Sequence, residues 1–162
     1  MASLFLNQSQ RERYENVPGE ISEYDLMQFF QITQQDKIFL KSFRGEHNRL
    51  GIALQIGIVR FMGFLPDKWQ QQIPVNVAEK ICSQLNSNIE LLPLYGHRDA
   101  TRTEHLQVIL KYLKFRRWQP LDEIWLSPWL LNNGMEHDNE PILLSQVCLK
   151  LLQEKILRPS IG

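Results

Sequence analysis

Cationic and hydroxyl side chains gather just before and within an apolar repeat that starts near residue 101. The set consists of Arg98, Thr101, Arg102, Thr103 and His105. An arginine can form two parallel hydrogen bonds with a guanine base, whereas a threonine reaches a base or a phosphate. The start of a helix also attracts phosphate, because its free N–H groups and its dipole favour negative charge. The set suits binding of double-stranded DNA at the start of a helix, with Arg102 reading a base, and an ordinary capped surface helix is the alternative.

Further cations that could contact DNA lie upstream and downstream of this set in the sequence. Downstream, the predicted contacts are Lys111, Lys114 and Arg116. Upstream, a second and weaker basic group surrounds the turn before the next long helix, and it contains Lys37, Lys41, Arg44, His47 and Arg49. Arg44 and Arg49 are the predicted DNA contacts of this group. Arg49 also has a structural alternative, because at the edge of an apolar helix it could pair with Glu46 or Asp36.

The charges of the chain are segregated, although the formal net charge is +0. Residues 26–118 carry thirteen basic and seven acidic side chains, a local excess of +6, and the segments on either side are each at −3. Counterion release rewards local clusters of positive charge and not the total charge of a protein. A neutral chain can therefore carry a phosphate-binding face, and ordinary solvated charge is the alternative.

Patterns for catalysis or metal binding are missing from the sequence. The histidines and cysteines do not show the paired spacing of a zinc site. The glycines between residues 51 and 63 fall inside a helical pattern, so they do not form a phosphate-binding loop. No nucleophile beside a base and no paired carboxylates can be nominated. We therefore expect no metal, no cofactor, no small-molecule substrate and no catalysis by this chain.

Apolar spacing predicts helices throughout and no strand. The predicted helices are 23–30, Gln34–Lys41, Glu46–Met62, Val75–Leu85, 89–92, 101–114, 121–131 and 142–157. Ser22 and Thr33 suit the N-cap positions of the first two helices, and Thr101 with Glu104 has the spacing of a capping box. A turn is predicted at 132–134.

The helix predicted at Glu46–Met62 is the expected centre of the fold. Leu50, Leu54 and Ile58 form one apolar stripe at helical spacing, and the opposite side of the helix is equally apolar. Glycines at 51, 57 and 63 weaken such a helix, a cost that is explained if neighbouring helices cross it closely. The pattern therefore indicates a helix that is enclosed on all sides.

One combination of these motifs resembles a known family. Residues 49–64 run Arg-Leu-Gly, an apolar stretch and Arg-aromatic-x-Gly, and they precede Tyr95, the Thr101-Arg102-x-x-His105 element and the ending Leu113-x-Phe115-Arg116. This order is similar to the N-terminal region of Tn-three family replicative transposases, and the resemblance covers most of residues 20–160. The chain departs from the family pattern at 114–118, where a glycine is expected before the aromatic residue. Arg117 and Trp118 are therefore not carried over as DNA contacts.

The resemblance implies a DNA-binding role in a bacterial transposable element. Members of the family recognise the terminal inverted repeats of their transposon with helical N-terminal domains. They cut and join strands with an acidic triad in an RNase-H-like domain near the C-terminus, which this chain does not reach. The resemblance therefore implies binding without catalysis, by either an excised fragment or a truncated gene product. It leaves open self-association through the full-length transposase and the DNA sequence recognised.

Together these features predict an all-α, compact multi-helix domain with helix-turn-helix-like groupings around the central helix. Its predicted parts are an N-terminal arm at 1–20, a first helical group at 21–65, a second group with the recognition helix at 66–118 and a C-terminal helical pair at 119–162. A cytoplasmic protein with reduced Cys82 and Cys148 is expected, because the chain shows neither a membrane-spanning stretch nor a signal pattern. The competing hypothesis is a helical protein-interaction or regulatory module with a partner surface built from Trp69, Trp118, Trp125 and Trp129.

Overall fold

The computed structural model describes residue 12, residues 14–134 and residues 140–159 of the 162-residue chain, so most of the predicted N-terminal arm lies outside the described residues. Within the described residues the fold is all-α apart from one pair of two-residue strands, which confirms the predicted fold class. The α-helices are α1 (Glu23–Phe29), α2 (Gln34–Lys41), α3 (Glu46–Met62), α4 (Val75–Leu85), α5 (Asp99–Leu113), α6 (Asp122–Gly134) and α7 (Glu140–Gln153). The connections contain two 3-10 helices, Trp69–Gln71 and Ile89–Leu94, and the strands β1 (Arg116–Arg117) and β2 (Ile156–Leu157).

The first two helices begin at the predicted capping residues. The Ser22 side chain accepts a hydrogen bond from the backbone N–H of Asp25 at 3.2 Å. Thr33 and Asp36 form a reciprocal capping box, in which each side chain accepts from the other residue's backbone N–H, at 3.1 and 3.0 Å. Such caps satisfy N–H groups that have no partner inside the helix. The caps therefore fix where α1 and α2 start, as the sequence predicts.

Helix α3 is the buried centre of the fold, as its apolar pattern predicts. Every residue from Leu50 to Val59 is buried, including the polar Gln55. The helix packs against α1, α2, α4, α5 and the second 3-10 helix. A helix that is enclosed in this way must be apolar all round, because every side of it is removed from water.

Glycine allows two aromatic rings to approach α3 closely. A Cβ placed on Gly51 would lie 2.4 Å from the Tyr95 ring, and one placed on Gly57 would lie 2.3 Å from the Phe30 ring. Both distances are far below a carbon–carbon contact of about 3.5–4.0 Å. Gly63 has another role, since it ends α3 in the left-handed conformation with a φ of 67°. The predicted close approach is therefore confirmed at Gly51 and Gly57, where rings rather than helix backbones make the contact.

Helix α5 starts earlier than the sequence predicts. Its first residue is Asp99, and Arg98 is an extended N-cap residue that makes no side-chain capping bond. Thr101 and Glu104 therefore lie inside the helix, and the predicted capping box is wrong. The backbone turns into the helix early because Gly96, with a φ of 69°, changes its direction just before Arg98.

The C-terminal helices differ from their predicted bounds. Helix α6 continues through the predicted turn at 132–134, so that turn is wrong, and residues 135–139 lie outside the described part of the chain. Helix α7 ends at Gln153, four residues before the predicted end, and Lys155 adopts a left-handed conformation with a φ of 54°. That conformation interrupts the helix and directs the chain into β2.

The two short strands correct the expectation that the chain has none. β1 and β2 pair in parallel, with Arg116 opposite Ile156. Immediately after β2, the backbone N–H of Arg158 donates to the carbonyl of Gly63 at 2.9 Å, which ties this segment to the end of α3. A two-residue strand carries no periodic signal, so only the tertiary contacts reveal it.

The sequence also predicts reduced cysteines and no membrane-spanning helix. Cys82 is buried and Cys148 is half-buried, and both carry free thiols, as expected. Burial raises the pKa of each thiol. None of the helices in the described residues combines the length and the apolar character needed to cross a bilayer.

Replacing Gly57 with alanine tests the close packing against α3. Alanine favours a helix over glycine by up to about 1 kcal/mol, but the added methyl group would overlap the Phe30 ring, which is 1% exposed and has no room to move. We expect a net loss of roughly 1–3 kcal/mol in the free energy of unfolding, the usual cost of overpacking a core. Urea denaturation followed by circular dichroism measures this loss. Gly19→Ala is the matched control, because nothing lies within 4 Å of its added carbon, and equal stability of the two variants would contradict the packing argument.

Candidate nucleic-acid interface

One side of α5 packs against α2 and the turn that follows it. The ring of His105 meets the ring of Phe43 edge-on, with 5.4 Å between the centroids. Farther along α5, the Tyr112 ring stacks on Phe39 at 4.1 Å with the planes 6° apart. Residues seven positions apart lie on the same side of an α-helix. His105 and Tyr112 therefore define the side of α5 that faces α2 and the α2–α3 turn.

This packing joins the segments that carry the two predicted basic groups. Thr101 precedes His105 by four positions and lies on the same side of α5, and Arg98 is the residue just before the helix. Arg44 follows Phe43 in the turn, and both Arg44 and Arg98 are exposed. The contact between Phe43 and His105 joins the α2–α3 turn to the first turns of α5, and we call the surface around it the interface edge. Its residues are Phe43, Arg44, Arg98, Thr101 and His105.

Arg49 supports the interface edge from inside the protein. Its Nη1 donates to the backbone carbonyl of Phe43 at 3.0 Å, and the residue is half-buried. The alternative partners suggested by the sequence are not used: Asp36 binds Arg60, and Glu46 makes no ion pair with Arg49 in the described part of the chain. One nitrogen of the Arg49 guanidinium is therefore committed to holding the turn.

A buried chain of hydrogen bonds connects α3 with His105. Gln55 Nε2 donates to the Gly51 carbonyl at 3.1 Å and to the Tyr95 hydroxyl at 2.7 Å. The same hydroxyl lies 2.9 Å from His105 Nδ1. Gln55 and Tyr95 are each 2% exposed, so water reaches this chain only at the half-buried His105. Burial raises the pKa of Tyr95 and lowers the pKa of His105.

Arg102 folds back over the loop that precedes α5. Its Cγ covers Gly96 so closely that a Cβ on the glycine would lie 2.7 Å from it. The guanidinium forms an ion pair with the carboxylate of Asp99, and the exposed fractions of the two side chains are 48% for Arg102 and 91% for Asp99. An exposed pair contributes only about 0–1 kcal/mol. Arg102 can therefore leave Asp99 for another anion at little cost.

The outer side of α5 carries a separate polar stripe. Thr103, Gln107 and Lys111 are exposed and four positions apart, which places them on one side of the helix, and we call them the outer stripe. Lys114 caps the end of α5 in a left-handed conformation and is also exposed. Arg102 and Lys111 are nine positions, or about two and a half turns, apart and so lie on opposite sides of the helix. The predicted contacts on α5 therefore occupy two separate sides.

The structure assigns Arg116 to an ion pair, although its sequence position predicts a free phosphate-binding cation. From β1 it forms two hydrogen bonds with Asp122 at the start of α6, at 2.8 and 2.5 Å. These bonds, together with those from Trp125 and Gln119, hold the pKa of Asp122 well below its ordinary value. Arg116 therefore anchors α6, and the neighbouring Arg117 is exposed.

The helical groupings resemble a helix-turn-helix unit without reproducing its geometry. Such a unit joins its two helices by three or four residues. The turn between α2 and α3, residues 42–45, has this length, but α3 is buried and cannot enter a groove. The exposed helix α5 is connected to α4 by residues 86–98, which include the second 3-10 helix. Of α3 and α5, therefore, only α5 has an exposed side that a nucleic acid could contact.

A buried carboxylate fixes the position of α5 on α2 and α3. Asp36 is 1% exposed and accepts two hydrogen bonds from Arg60 on α3, at 2.7 and 2.9 Å, and one from the Tyr112 hydroxyl on α5, at 2.5 Å. Burial alone would raise the pKa of Asp36. The hydrogen bonds from Arg60, Tyr112 and Thr33 outweigh burial, and they lower the pKa to about 2.

Sequence reasoning missed the residues that position this site. The sequence assigns no role to Gln55 or Tyr112, and it offers Asp36 as a candidate partner of Arg49. One signal was present for Gln55, because a single glutamine in a helix enclosed on all sides must find hydrogen-bond partners. The exposed Gln107, between the predicted contacts Thr103 and Lys111, was also missed, although its helical spacing was available.

Comparison with known proteins shows the family to which this chain belongs. Residues 5–162 match the family described as a domain of unknown function, DUF4158. The chain belongs to this family, which covers nearly all of its length. It is also homologous to Tn-three family transposases over most of its length, which confirms the resemblance found in the sequence.

Three bacterial transposases show the extent of this similarity. The transposase for transposon gamma-delta of Escherichia coli strain K12 is 32% identical over 160 residues, which are 96% of this chain and 16% of the relative. The transposase for transposon Tn501 of Pseudomonas aeruginosa is 26% identical over 141 residues, 87% of this chain and 14% of the relative. The transposase for transposon Tn1546 of Enterococcus faecium is 27% identical over 157 residues, with coverages of 96% and 16%. The chain thus spans about one sixth of the length of these relatives.

The buried Asp36 makes stability depend on pH in a defined range. Its folded-state pKa of about 2 lies below the ordinary value of 3.8, so the ionised form stabilises the fold at neutral pH. This contribution disappears as the pH falls from about 4 to about 2. We expect Asp36→Asn to lower the free energy of unfolding by on the order of 2 kcal/mol at pH 7, and the difference from wild type to shrink over that range.

Denaturant titrations at several pH values measure this effect. Asp67→Asn is the control, since it removes an exposed carboxylate in the loop after α3. The control should unfold like the wild type at every pH. A constant difference between Asp36→Asn and wild type down to pH 2 would contradict the assignment.

Proposed function

We propose that the chain is the DNA-binding region of a Tn-three family transposase and recognises the terminal inverted repeats of its transposon. The observation that carries the proposal is the contact between Phe43 and His105, which joins the turn that carries Arg44 to the first turns of α5. The similarity to transposases supports DNA as the partner, because a transposase acts on the ends of a DNA element.

The proposed contacts divide into those that hold the backbone and those that read bases. Arg44 and Arg98 are exposed cations of the interface edge and suit phosphate oxygens. The N-terminus of α5 directly follows Arg98 and adds its own attraction for phosphate. Lys111 on the outer stripe and Lys114 at the end of α5 are proposed as further phosphate contacts outside the interface edge.

Base reading is proposed for the first turns of α5. Arg102 can form the paired hydrogen bonds to guanine once it leaves Asp99, and that ion pair is weak because both side chains are exposed. Thr103 and Gln107 of the outer stripe are exposed and free of the protein core. Glutamine can form paired hydrogen bonds with adenine. This division gives a sequence-specific contact at the start of α5 and a nonspecific contact around it.

We also propose that this region binds DNA without cutting it. Strand transfer by two metal ions needs carboxylates grouped around the metals. The described residues contain no group of three or more histidine, cysteine, aspartate or glutamate side chains that could hold a metal ion. The cutting and joining activity of the family is therefore proposed for other parts of the transposase.

A protein-interaction module is the second candidate function, and one observation favours it. Leu121, Ile124 and Leu131 at and within α6 are each 71% exposed. Their spacing of three and seven positions places them on one side, as an apolar stripe suited to a protein partner. The tryptophans do not build the surface that the sequence suggested, because Trp69 is 5% exposed and the other three are half-buried.

Single substitutions separate base reading from phosphate anchoring. We expect Arg102→Ala to weaken binding to an inverted-repeat duplex by roughly 1–3 kcal/mol and to reduce the preference over a scrambled duplex. Lys111→Ala or Lys114→Ala should weaken binding to both duplexes alike and lower the salt slope by about one each. Fluorescence anisotropy titrations over a series of salt concentrations measure both quantities.

Lys80→Ala is the matched control for these titrations. Lys80 lies on α4, near the α1–α2 connection, because Gln84 beside it bonds both the Lys80 carbonyl and the backbone at Phe30 and Ile32. Its loss should leave affinity and salt slope unchanged. Undetectable wild-type binding, or equal and salt-insensitive binding to both duplexes, would favour the protein-interaction module. Dependence on Arg44 and Arg49 alone would keep DNA binding and move base reading to the α2–α3 turn.

Incubation with metal ions tests the proposed division of labour. The purified chain, mixed with inverted-repeat duplex and magnesium or manganese, should leave both strands intact. Denaturing gel electrophoresis of end-labelled duplex reports nicking and joining. Specific nicking that a point substitution in the chain abolishes would overturn the proposal of binding alone.

A further inference from the structure

The orientation of Gln55 sets the direction of the hydrogen-bond chain that ends at His105. The Gly51 carbonyl can only accept a hydrogen bond, and it lies 3.1 Å from Gln55 Nε2. The same nitrogen lies 2.7 Å from the Tyr95 hydroxyl, so the donating end of the amide faces both groups. Tyr95 therefore accepts from Gln55, and its own hydroxyl proton remains for another acceptor.

That acceptor is the imidazole of His105. Its Nδ1 lies 2.9 Å from the tyrosine hydroxyl. A ring nitrogen that accepts a hydrogen bond carries no proton, so the neutral ring must hold its proton on Nε2. Burial favours the same neutral state, because it lowers the pKa of His105 against the opposing effect of Glu104. The other charged groups nearby are Arg102 beside the tyrosine and Arg49 beneath the α2–α3 turn.

The Nε2–H group of His105 is left without a partner. It makes no hydrogen bond to any described residue, and the half-buried ring meets Phe43 edge-on at the interface edge. An N–H group held in a fixed direction loses little entropy when it meets an acceptor, so it binds more effectively than a freely rotating donor.

We propose that Gln55 and Tyr95 are positioning residues that hold His105 as the neutral Nε2–H tautomer, and that this N–H donates to an acceptor on duplex DNA. The acceptor is a phosphate oxygen or a base edge, both of which offer oxygen lone pairs at hydrogen-bond distance. The inference rests on the proposed DNA-binding function and specifies how one residue of the interface edge contacts the duplex.

A neutral donor differs measurably from a cation at the same place. A cationic contact releases counterions and adds about one to the salt slope of binding. A neutral donor adds affinity and leaves that slope unchanged. Its contribution also persists as the pH rises from 7 to 8.5, where an imidazolium would lose its proton and its charge.

The tautomer itself is read by two-dimensional ¹H–¹⁵N NMR of the imidazole rings in the purified chain at pH 7.5. We expect His105 to show an unprotonated Nδ1 and a protonated Nε2. Tyr95→Phe keeps the ring that packs on Gly51 and removes only the hydroxyl. This variant should return His105 to a mixture of tautomers.

Two isosteric substitutions test the contact with DNA. The side-chain amide of His105→Gln reaches the position of Nε2 and keeps a donor there, whereas that of His105→Asn reaches only the position of Nδ1. We expect His105→Asn to weaken binding to the inverted-repeat duplex about tenfold with an unchanged salt slope, and His105→Gln to bind within about twofold of wild type. An equal loss on the scrambled duplex identifies a phosphate as the acceptor, and a loss confined to the inverted repeat identifies a base.

The outcomes distinguish this inference from the proposed function beneath it. If the wild type binds neither duplex, the proposed function fails, and the NMR spectrum still reports the tautomer. A cationic or Nδ1-protonated His105 at pH 7.5 overturns the inference even if DNA binds. Wild-type affinity of His105→Asn, or a salt slope lowered by about one in that variant, overturns it as well.

Discussion

The position of the interface edge depends on the buried carboxylate of Asp36. A charge taken out of water at 1% exposure would destabilise the fold unless it were fully compensated. Compensation comes from Arg60 on α3 and Tyr112 on α5, in addition to the backbone N–H of Thr33 at the start of α2. Removing any one of these donors would leave part of the buried charge unpaired, so the three helices are held in one relative position.

A second contact determines how α5 is rotated. Tyr112 is bound to Asp36 near the C-terminal end of the helix, and His105 packs on Phe43 two turns earlier. Two fixed points on a rigid helix define both its position and its rotation about its axis. The outer stripe therefore faces away from α3, and the interface edge faces the α2–α3 turn. The chemistry of the site is thus a consequence of helix packing and not of the local sequence of α5 alone.

The core is connected to the interface edge through a buried polar residue of α3, Gln55. Gln55 is the polar member of a buried apolar segment, and its two hydrogen bonds hold the Tyr95 hydroxyl in place. Gly51 lets the Tyr95 ring lie directly against the helix, so ring and hydroxyl are both fixed. A change in the packing of α3 at this level would therefore reach His105 through a few covalent and hydrogen bonds.

Local signals explain which parts of the fold the sequence predicts. The caps at Ser22 and Thr33 involve residues three positions apart, and the central role of α3 follows from a contiguous apolar run, so both are visible in the sequence. The starts and ends of α2, α3 and α4 agree with prediction for the same reason. The start of α5 does not agree with prediction. The positive φ of Gly96 changes the direction of the backbone upstream of Thr101, so the helix begins before the predicted capping box.

The candidate site depends on long-range contacts, which explains why less of it could be predicted. Gln55 and Tyr95 are separated by forty positions, and Tyr112 and Asp36 by seventy-six, so no spacing rule connects them. Similarly, Arg116 acquires a partner only because β1 pairs with β2 and α6 begins beside it. The residue types of the site were identified from the sequence, whereas their orientation and their partners are set by the tertiary structure.

The separation of Arg102 from Lys111 is compatible with one DNA molecule if α5 approaches the groove with its N-terminal end. Nine residues of helix span roughly 13 Å along the axis, which exceeds the depth of the major groove, about 8.5 Å. With the first turn near the bases, Arg102 would extend beyond the end of the helix toward a base. Lys111 and Lys114 would then reach the phosphates at the rim, and Arg44 would reach them from the neighbouring turn. In this orientation the two sides of α5 would serve different parts of the same duplex, whereas a scattered distribution of the same charges would favour the protein-interaction module.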